Sequence, residues 1–358
     1  MYDAKWNFRK LTSVNYPVLG VNASASTQNV NLELKNFEQL GVLARLMIRV
    51  VGNIVVAGAG AGTATGRDNP EALMTLANLK TTPDLGVNVI NQMSARGFLR
   101  QTMYERGYLI KAAPVADAAG TTPVDFSYVV NFRNPLAIKP AEFSLPLAFF
   151  SSAQLQLQFG TRDQLFSGGV NTWDVSGLQI QLWADMDQGI AGVFHMTCFD
   201  ERSFAPITAS QTDLQLLNIP VGYLYTSMLM RLERNNVLVN DILNSWTIQS
   251  GSRIWLPQGD INALQIQRWN RETNLSDPNV DQTGLYFINA MRDGMITNSI
   301  DSLDAQLDIK LDVTSGATVQ FPILVSKRSI PNALVLQPVV AAGAVGQSGA
   351  AAAAAAAK

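Results

Sequence analysis

Leu303-Asp304-Ala305-Gln306-Leu307-Asp308-Ile309-Lys310-Leu311-Asp312-Val313 alternates apolar and polar side chains without a break. Successive side chains of an extended chain point to opposite faces, so Leu303, Ala305, Leu307, Ile309, Leu311 and Val313 fall on one side and Asp304, Gln306, Asp308, Lys310 and Asp312 on the other. One side then lies in a core and the other in water, the pattern of an antiparallel sheet and not the continuous apolar run of a parallel one. Across Thr314-Ser315-Gly316-Ala317, Val319, Phe321, Ile323 and Val325 supply a partner strand.

The same period recurs upstream. Phe126, Tyr128, Val130 and Phe132 share one face; Leu155, Leu157 and Phe159 alternate with Gln154, Gln156 and Gln158; Leu178, Ile180 and Leu182 alternate with Gln179 and Gln181. Strands of this length, separated by clusters of Pro, Gly, Asn and Asp, fit a sandwich or jelly roll better than an α/β fold. The glutamine-rich wet faces suit surfaces that meet like surfaces, and equally suit ordinary solvated strands.

Two stretches repeat one plan. Leu40 to Val50 opens the first and a helix from Met93 to Arg106 stops at Gly107; Pro220 to Met228 opens the second and a helix from Asp281 to Asp293 stops at Gly294. Ala95, Phe98, Leu99 and Met103 share one helical face, with Arg96 and Arg100 turned away, and Gly284, Phe287, Ile288 and Met291 repeat the spacing. Ser276-Asp277-Pro278 supplies cap and first-turn residues for the second helix, and Gly107 and Gly294 suit the left-handed position that ends a helix. The plan implies a duplicated domain, with the junction at Asp185 to Gly192. The expected division is an N-terminal arm over 1–29, a first domain over 30–188, a second over 189–331 and a low-complexity tail over 332–358.

Composition limits what such a chain does. Over 358 residues, 47% are hydrophobic and only 15% charged, which suits packed domains with large protein contacts. The net charge of −2 leaves no electrostatic footprint for direct contact with nucleic acid. The lone cysteine, Cys198, makes no internal disulfide, and with the lone histidine, His195, it reads as a buried thiol at a domain junction rather than a nucleophilic pair. The start has no secretory signal, and no apolar run is long enough to span a bilayer.

The ends differ from the body. Lys5, Trp6, Phe8, Arg9 and Lys10 mix aromatics with cations, which could seat an arm on an anionic membrane surface or a neighbouring subunit. From Pro338 onward the chain is almost all Ala, Gly and Val, residues too small to build a core.

Three motifs hint at chemistry and each has a plainer reading. Ile54 to Thr63 runs into Gly58, Gly60 and Gly62, as in a dinucleotide fold, but lacks the third glycine at 63 and the acidic residue of that fingerprint, so it reads as a loop between strands. Asp304, Asp308 and Asp312 lie on one strand face about 13 Å apart in successive pairs, too far for one metal ion or a carboxylate pair, so they read as a solvated face. Asn274-Leu275-Ser276 is a formal glycosylation sequon without a secretory context. No catalytic, metal or cofactor residue is assigned, and no enzyme activity is expected.

The order of elements resembles the double jelly-roll major capsid proteins of tectivirus-like phages, tailless icosahedral viruses with an internal membrane. In the first half the resemblance rests on Gly41 to Leu46, Asn69-Pro70-Glu71-Ala72-Leu73-Met74, Val130 to Ala137 and Leu155 to Phe159. In the second it rests on Tyr223 to Met228 and on Asn274-Leu275-Ser276-Asp277 with the segment up to Gly294. It implies two consecutive eight-stranded jelly rolls with short helices in loops, standing upright on a capsid. It also implies a homotrimer whose six rolls form a pseudo-hexagonal tile. Neighbouring capsomers, penton proteins and minor capsid or membrane proteins would be its partners, and the aromatic-cationic start would lie underneath, near the internal membrane. Localisation would be the virion, assembled in the host cytoplasm. At Pro70 it implies a short turn followed by a strand. The alternative is a jelly-roll spike that binds carbohydrate or a receptor, with Trp173, Trp183, Trp246, Trp255 and Trp269 as stacking faces.

Overall fold

The structure, a computed structural model, describes residues 7–15, 28–34, 42–57, 65–66, 70–82, 88–109, 120–134, 137–138, 143–147, 150–161, 164–167, 172–174, 179–187, 195–235, 237–256, 261–291, 293–315 and 320–331. The first half contributes β1 (Asn7–Asn15), β2 (Gln28–Glu33), β3 (Val42–Ala57), β4 (Met74–Thr82), β5 (Ile90–Met93), β6 (Gly120–Asn131), β7 (Ser152–Phe159) and β8 (Gln179–Asp187), with helix α1 (Ala95–Arg106) between β5 and β6. The second contributes β9 (His195–Ser203), β10 (Gln211–Leu216), β11 (Leu224–Arg234), β12 (Leu243–Ser250), β13 (Arg253–Leu256), β14 (Leu285–Asn289), β15 (Leu307–Val313) and β16 (Gln320–Pro331), with α2 (Ala263–Thr273) between β13 and β14.

Strand order decides the fold. In the first half one sheet runs β1-β8-β3-β6 and the other β2-β7-β4-β5; in the second, one runs β9-β16-β11-β14 and the other β10-β15-β12-β13. Numbered within its own half, each is 1-8-3-6 facing 2-7-4-5, all antiparallel, the eight-stranded double Greek key of a jelly roll. The two rolls are joined edge to edge: β5 pairs in parallel with β9, Ile90 opposite Phe199 and Asn91 opposite Asp200, so one sheet continues from roll to roll.

The alternation found in the sequence is what buries the core. β15 shows Leu307, Ile309, Leu311 and Val313 buried and Asp308, Lys310 and Asp312 at the surface. Each buried Leu, Ile or Phe contributes roughly 1.5–3 kcal/mol, and the inner faces gather into one cluster per roll. The first cluster does not stop at the first roll. It takes in Phe199, Leu229, Leu285, Phe287 and Val325 from the second.

Several expectations shift. The regular strand begins at Leu307, and Leu303 to Ala305 form bends before it. The stretch 281–293 is no helix: Leu285 to Asn289 is β14, since a short apolar run rich in aromatics packs as a buried strand when a neighbour, here β11, is available to pair with it. The second helix lies earlier, at α2, and takes the place α1 has in the first roll, between fifth and sixth strands. The two opening stretches are likewise equivalent, each being a third strand, β3 and β11. Pro70 begins a single 3-10 turn that leads into β4. The division at residue 30 also moves, because β1 lies within the expected arm and pairs along its length with β8 as the first roll's opening strand. β8 ends at Asp187 and β9 starts at His195. Gly58 to Gly62, Lys5, Trp6 and the tail over 332–358 lie outside the described residues.

Candidate functional site

The part of the molecule with the most organised polar chemistry is the seam between the rolls, and α1 is its centre. Ser94 caps the helix, accepting from the Gly97 N–H at 3.0 Å. The same residue donates from its backbone N–H and hydroxyl to Glu201 of β9, at 2.8 Å each to Oε2. Arg231 of β11 donates to Glu201 at 2.8 Å and to the Ser94 hydroxyl at 3.2 Å, and its second nitrogen donates to Glu233. Arg96 on the helix lies 3.7 Å from Glu233. A carboxylate at the first turn is favoured by the partial positive charge of a helix N-terminus. Gly97 is required there: a Cβ at this position would stand 2.2 Å from Glu201 Oε2.

These charges are buried, which costs free energy unless each is paired. Burial opposes ionisation of Glu233, but Arg231, with Arg96, outweighs it and holds the carboxyl below its ordinary value. Burial likewise opposes the charge on Arg231, and Glu233 and Glu201 outweigh that and hold it protonated. The expectation that Arg96 turns away from the core holds only toward its own roll, since its charge is spent on the other one.

Along its length α1 stays in contact with the second roll. Gln101 donates to Ser227 at 3.3 Å, Tyr104 stacks on Phe287 with ring centroids 4.6 Å apart, and Glu105 pairs with buried Lys327 at 2.8 Å. At the end, Gly107 adopts φ +84° and its carbonyl accepts from the Ser276 N–H and hydroxyl. Ser276, expected to cap a second helix, thus secures the end of the first. Beside the β5–β9 join, Asn91 donates to Asp200 at 2.5 Å, and Asp200 also accepts from Arg202 at 2.6 Å. The helix therefore crosses the outer face of the sheet β9-β16-β11-β14, which is buried on both sides.

Residues singled out for other chemistry do not converge. Cys198 is fully buried and burial pushes its thiol up to about 12, while His195, three residues away on the same strand, stacks on Phe143 at 5.2 Å. Asp308 pairs with Lys310 at 3.2 Å and Asp312 accepts from Asn244 at 3.2 Å, as a solvated face should. Among the tryptophans, Trp246 is fully buried, Trp183 is half-buried in β8, and Trp255 and Trp269 line one apolar cavity of about 420 Å³ with Ile266 and Phe287. Arg253 lies over the Trp255 ring at 3.6 Å, so that ring face is already occupied. Phe8, Arg9 and Lys10 form part of β1, opposite Asp185, Ala184 and Trp183.

No protein-family model matches the sequence, and no curated protein matches it significantly. Solved structures do. The STIV (Sulfolobus Turreted Icosahedral Virus) major capsid protein superposes with a TM-score of 0.65 at 12% identity, covering 91% of this chain and 97% of that one. The fold is a double jelly roll. The major capsid protein P2 of bacteriophage PM2 gives 0.57 at 13% identity, over 90% of this chain and 97% of its own. VP54 of PBCV-1 gives 0.55 at 12%, over 92% and 95%. The double jelly roll here thus shares most of its course with capsid proteins while keeping little of their sequence, as expected when the fold depends on alternation and strand order more than on particular residues.

Two features escaped the sequence reading. The capping box Asn262 to Gln265, in which each side chain reaches the other's backbone, marks the start of α2 and was readable as Asn-x-x-Gln. The seam had no local signal, because Glu201, Arg231, Glu233, Arg96 and Ser94 come from three separated stretches.

Proposed function

We propose that this chain is the major capsid subunit of an icosahedral virus, forming homotrimers that tile a shell over an internal membrane. One observation carries the reading: both halves have the same strand order, with helices at the same step, so three copies present six nearly equivalent rolls. Such a trimer fits the sites of a hexagonal lattice. The buried seam supports it, since a tile must keep its two rolls in fixed relation while its outer faces take the load of assembly. The low charge of the chain suits broad contacts with like surfaces.

Neighbouring capsomers, penton proteins and minor capsid or membrane proteins are the partners in this reading. In this reading Lys5 and Trp6, with Phe8, Arg9 and Lys10 at the start of β1, supply the contact with the membrane or an adjoining subunit. β1 pairs on one side only among the described residues, which leaves its other edge available for such a contact. Size-exclusion chromatography with light scattering tests the proposal: a trimer is expected at micromolar concentration, and hexagonal outlines in negative-stain images. A protein that stays monomeric under all assembly conditions overturns it.

A further inference from the structure

In each roll a helix bridges the fifth and sixth strands, and the two rolls fill the space beneath that helix differently. Leu46 opposite Val130 and Met228 opposite Ile288 hold the same place, each pair being made at the fifth residue of its roll's third strand. Two residues on, Phe132 therefore corresponds to Ala290. With the helices aligned by their caps, Ser94 and Asn262, Phe98 corresponds to Ile266.

In the first roll Phe98 and Phe132 both meet Phe199, with ring centroids 5.9 and 5.8 Å apart. Phe199 belongs to β9 and is brought there by the join between β5 and β9. In the second roll both counterparts are smaller, and β13 pairs with β12 alone among the described residues, so no strand beside it brings an equivalent of Phe199. The space left is the cavity of about 420 Å³, which Ile266 and Ala290 both line. Its size falls within the roughly 300–1,000 Å³ of small-molecule sites.

The walls given by Leu256, Ile266, Phe287 and Ile300 are apolar and buried. The chemistry is on β13. Trp255 lines the cavity, and its indole N–H is buried without a hydrogen-bond partner among the described residues. Arg253, on the same wall, is exposed and lies over the Trp255 ring at 3.6 Å, and no carboxylate of the described residues pairs with it. A buried donor without an acceptor costs free energy, and a guanidinium fork matches a carboxylate. An apolar chamber with a cation and a spare donor on one wall fits a molecule with an apolar body and an anionic acceptor at one end.

We propose that this cavity binds a free apolar carboxylate of the fatty-acid class, its chain beneath α2 among Ile266, Phe287 and Ala290 and its head held by Arg253 and the Trp255 N–H. The chain takes the space that phenylalanine rings occupy in the first roll. A second copy of the protein is a poorer occupant: β1, the first strand of its roll as β9 is of the other, carries Arg9 and Lys10, which Arg253 would repel.

The experiment titrates decanoate, below its micelle concentration, into the full chain in the assembly state in which it is purified, read by calorimetry and by melting temperature. Saturable binding at one site per chain is expected, with a raised melting temperature. Decanol, which lacks the charge, is expected to bind about tenfold more weakly. Ala290→Phe, which restores the ring of the first roll, is expected to abolish binding; Ile266→Phe serves should that variant fail to fold, with circular dichroism as the check. Arg253→Gln is expected to weaken decanoate about tenfold and leave decanol unchanged, a split that a merely structural role would not give. No binding of decanoate to the folded wild type, equal binding of decanol, or binding that survives in the folded ring variants overturns the site. Decanoate binding lost on oligomerisation would assign the cavity to a second copy, and a response to phosphatidylglycerol vesicles alone would assign it to bilayer lipid; either overturns it too.

Discussion

Gly97 and Glu233 show how single positions hold the seam. Replacing Gly97 with Ala would drive a methyl into Glu201, which Ser94 and Arg231 hold in place. Disturbing a buried ion pair costs about 3 kcal/mol, against about 1 kcal/mol regained from helix propensity, so a net loss of about 2 kcal/mol is expected in denaturant titration. Glu233 carries a pH dependence. Its folded-state value lies below the ordinary 4.5, so the stability it contributes is present above pH 4.5 and is lost as pH falls through the folded value. Glu233→Gln should lower stability by about 3 kcal/mol at pH 7. The gap from the wild type should narrow on acidification below pH 4.5, as followed by unfolding at a series of pH values. A gap that is constant with pH would show that the carboxylate charge contributes nothing.

At the scale of elements, α1 depends on how it ends. Gly107 holds φ +84°, and a Cβ there would also stand 2.9 Å from Ser276 Oγ. Gly107→Ala should cost about 2 kcal/mol, from the left-handed backbone and the displaced serine together, read as a shift in denaturation midpoint. This helix was legible in the sequence because Ala95, Phe98 and Met103 face inward at helical spacing and a glycine follows. The stretch Leu285 to Asn289 misled because the same spacing, Gly284, Phe287, Ile288 and Met291, occurs by coincidence in a strand buried on both faces, where periodicity carries no information. Its neighbours β11 and α1 decide its conformation, and they are distant in sequence. For β15, the reading succeeded where one face is wet. Alternation reports a half-buried strand and falls silent for a fully buried one, and for that reason β14 reads as a helix in the sequence. The seam was illegible for a related reason: Arg231 and Glu233 sit in a strand that reads as an ordinary mixed segment until Ser94 and Arg96 are brought against it.

For the whole molecule, the shared sheet and shared core cluster make the rolls one folding unit. Cut from its partner, the fragment 189–331 would expose Leu229, Phe287 and Val325 and leave Arg231 and Lys327 without Ser94 and Glu105. Expressed alone it should aggregate or bind a hydrophobic dye, and the full chain should unfold in a single calorimetric transition. Two resolved transitions would show that the seam couples the rolls weakly.

The single thiol has a practical side. Cys198 lies at the centre of a buried strand with its ionisation pushed up to about 12, so under native conditions a maleimide should leave the chain unmodified by intact mass, and unfolding should reveal one adduct. A cysteine introduced on the surface, as in Ala209→Cys, would then be the sole reactive handle on each subunit. A dye, a heavy atom or a displayed peptide could be placed on every copy of an assembled particle at one chosen spot, with no native residue to be engineered away first.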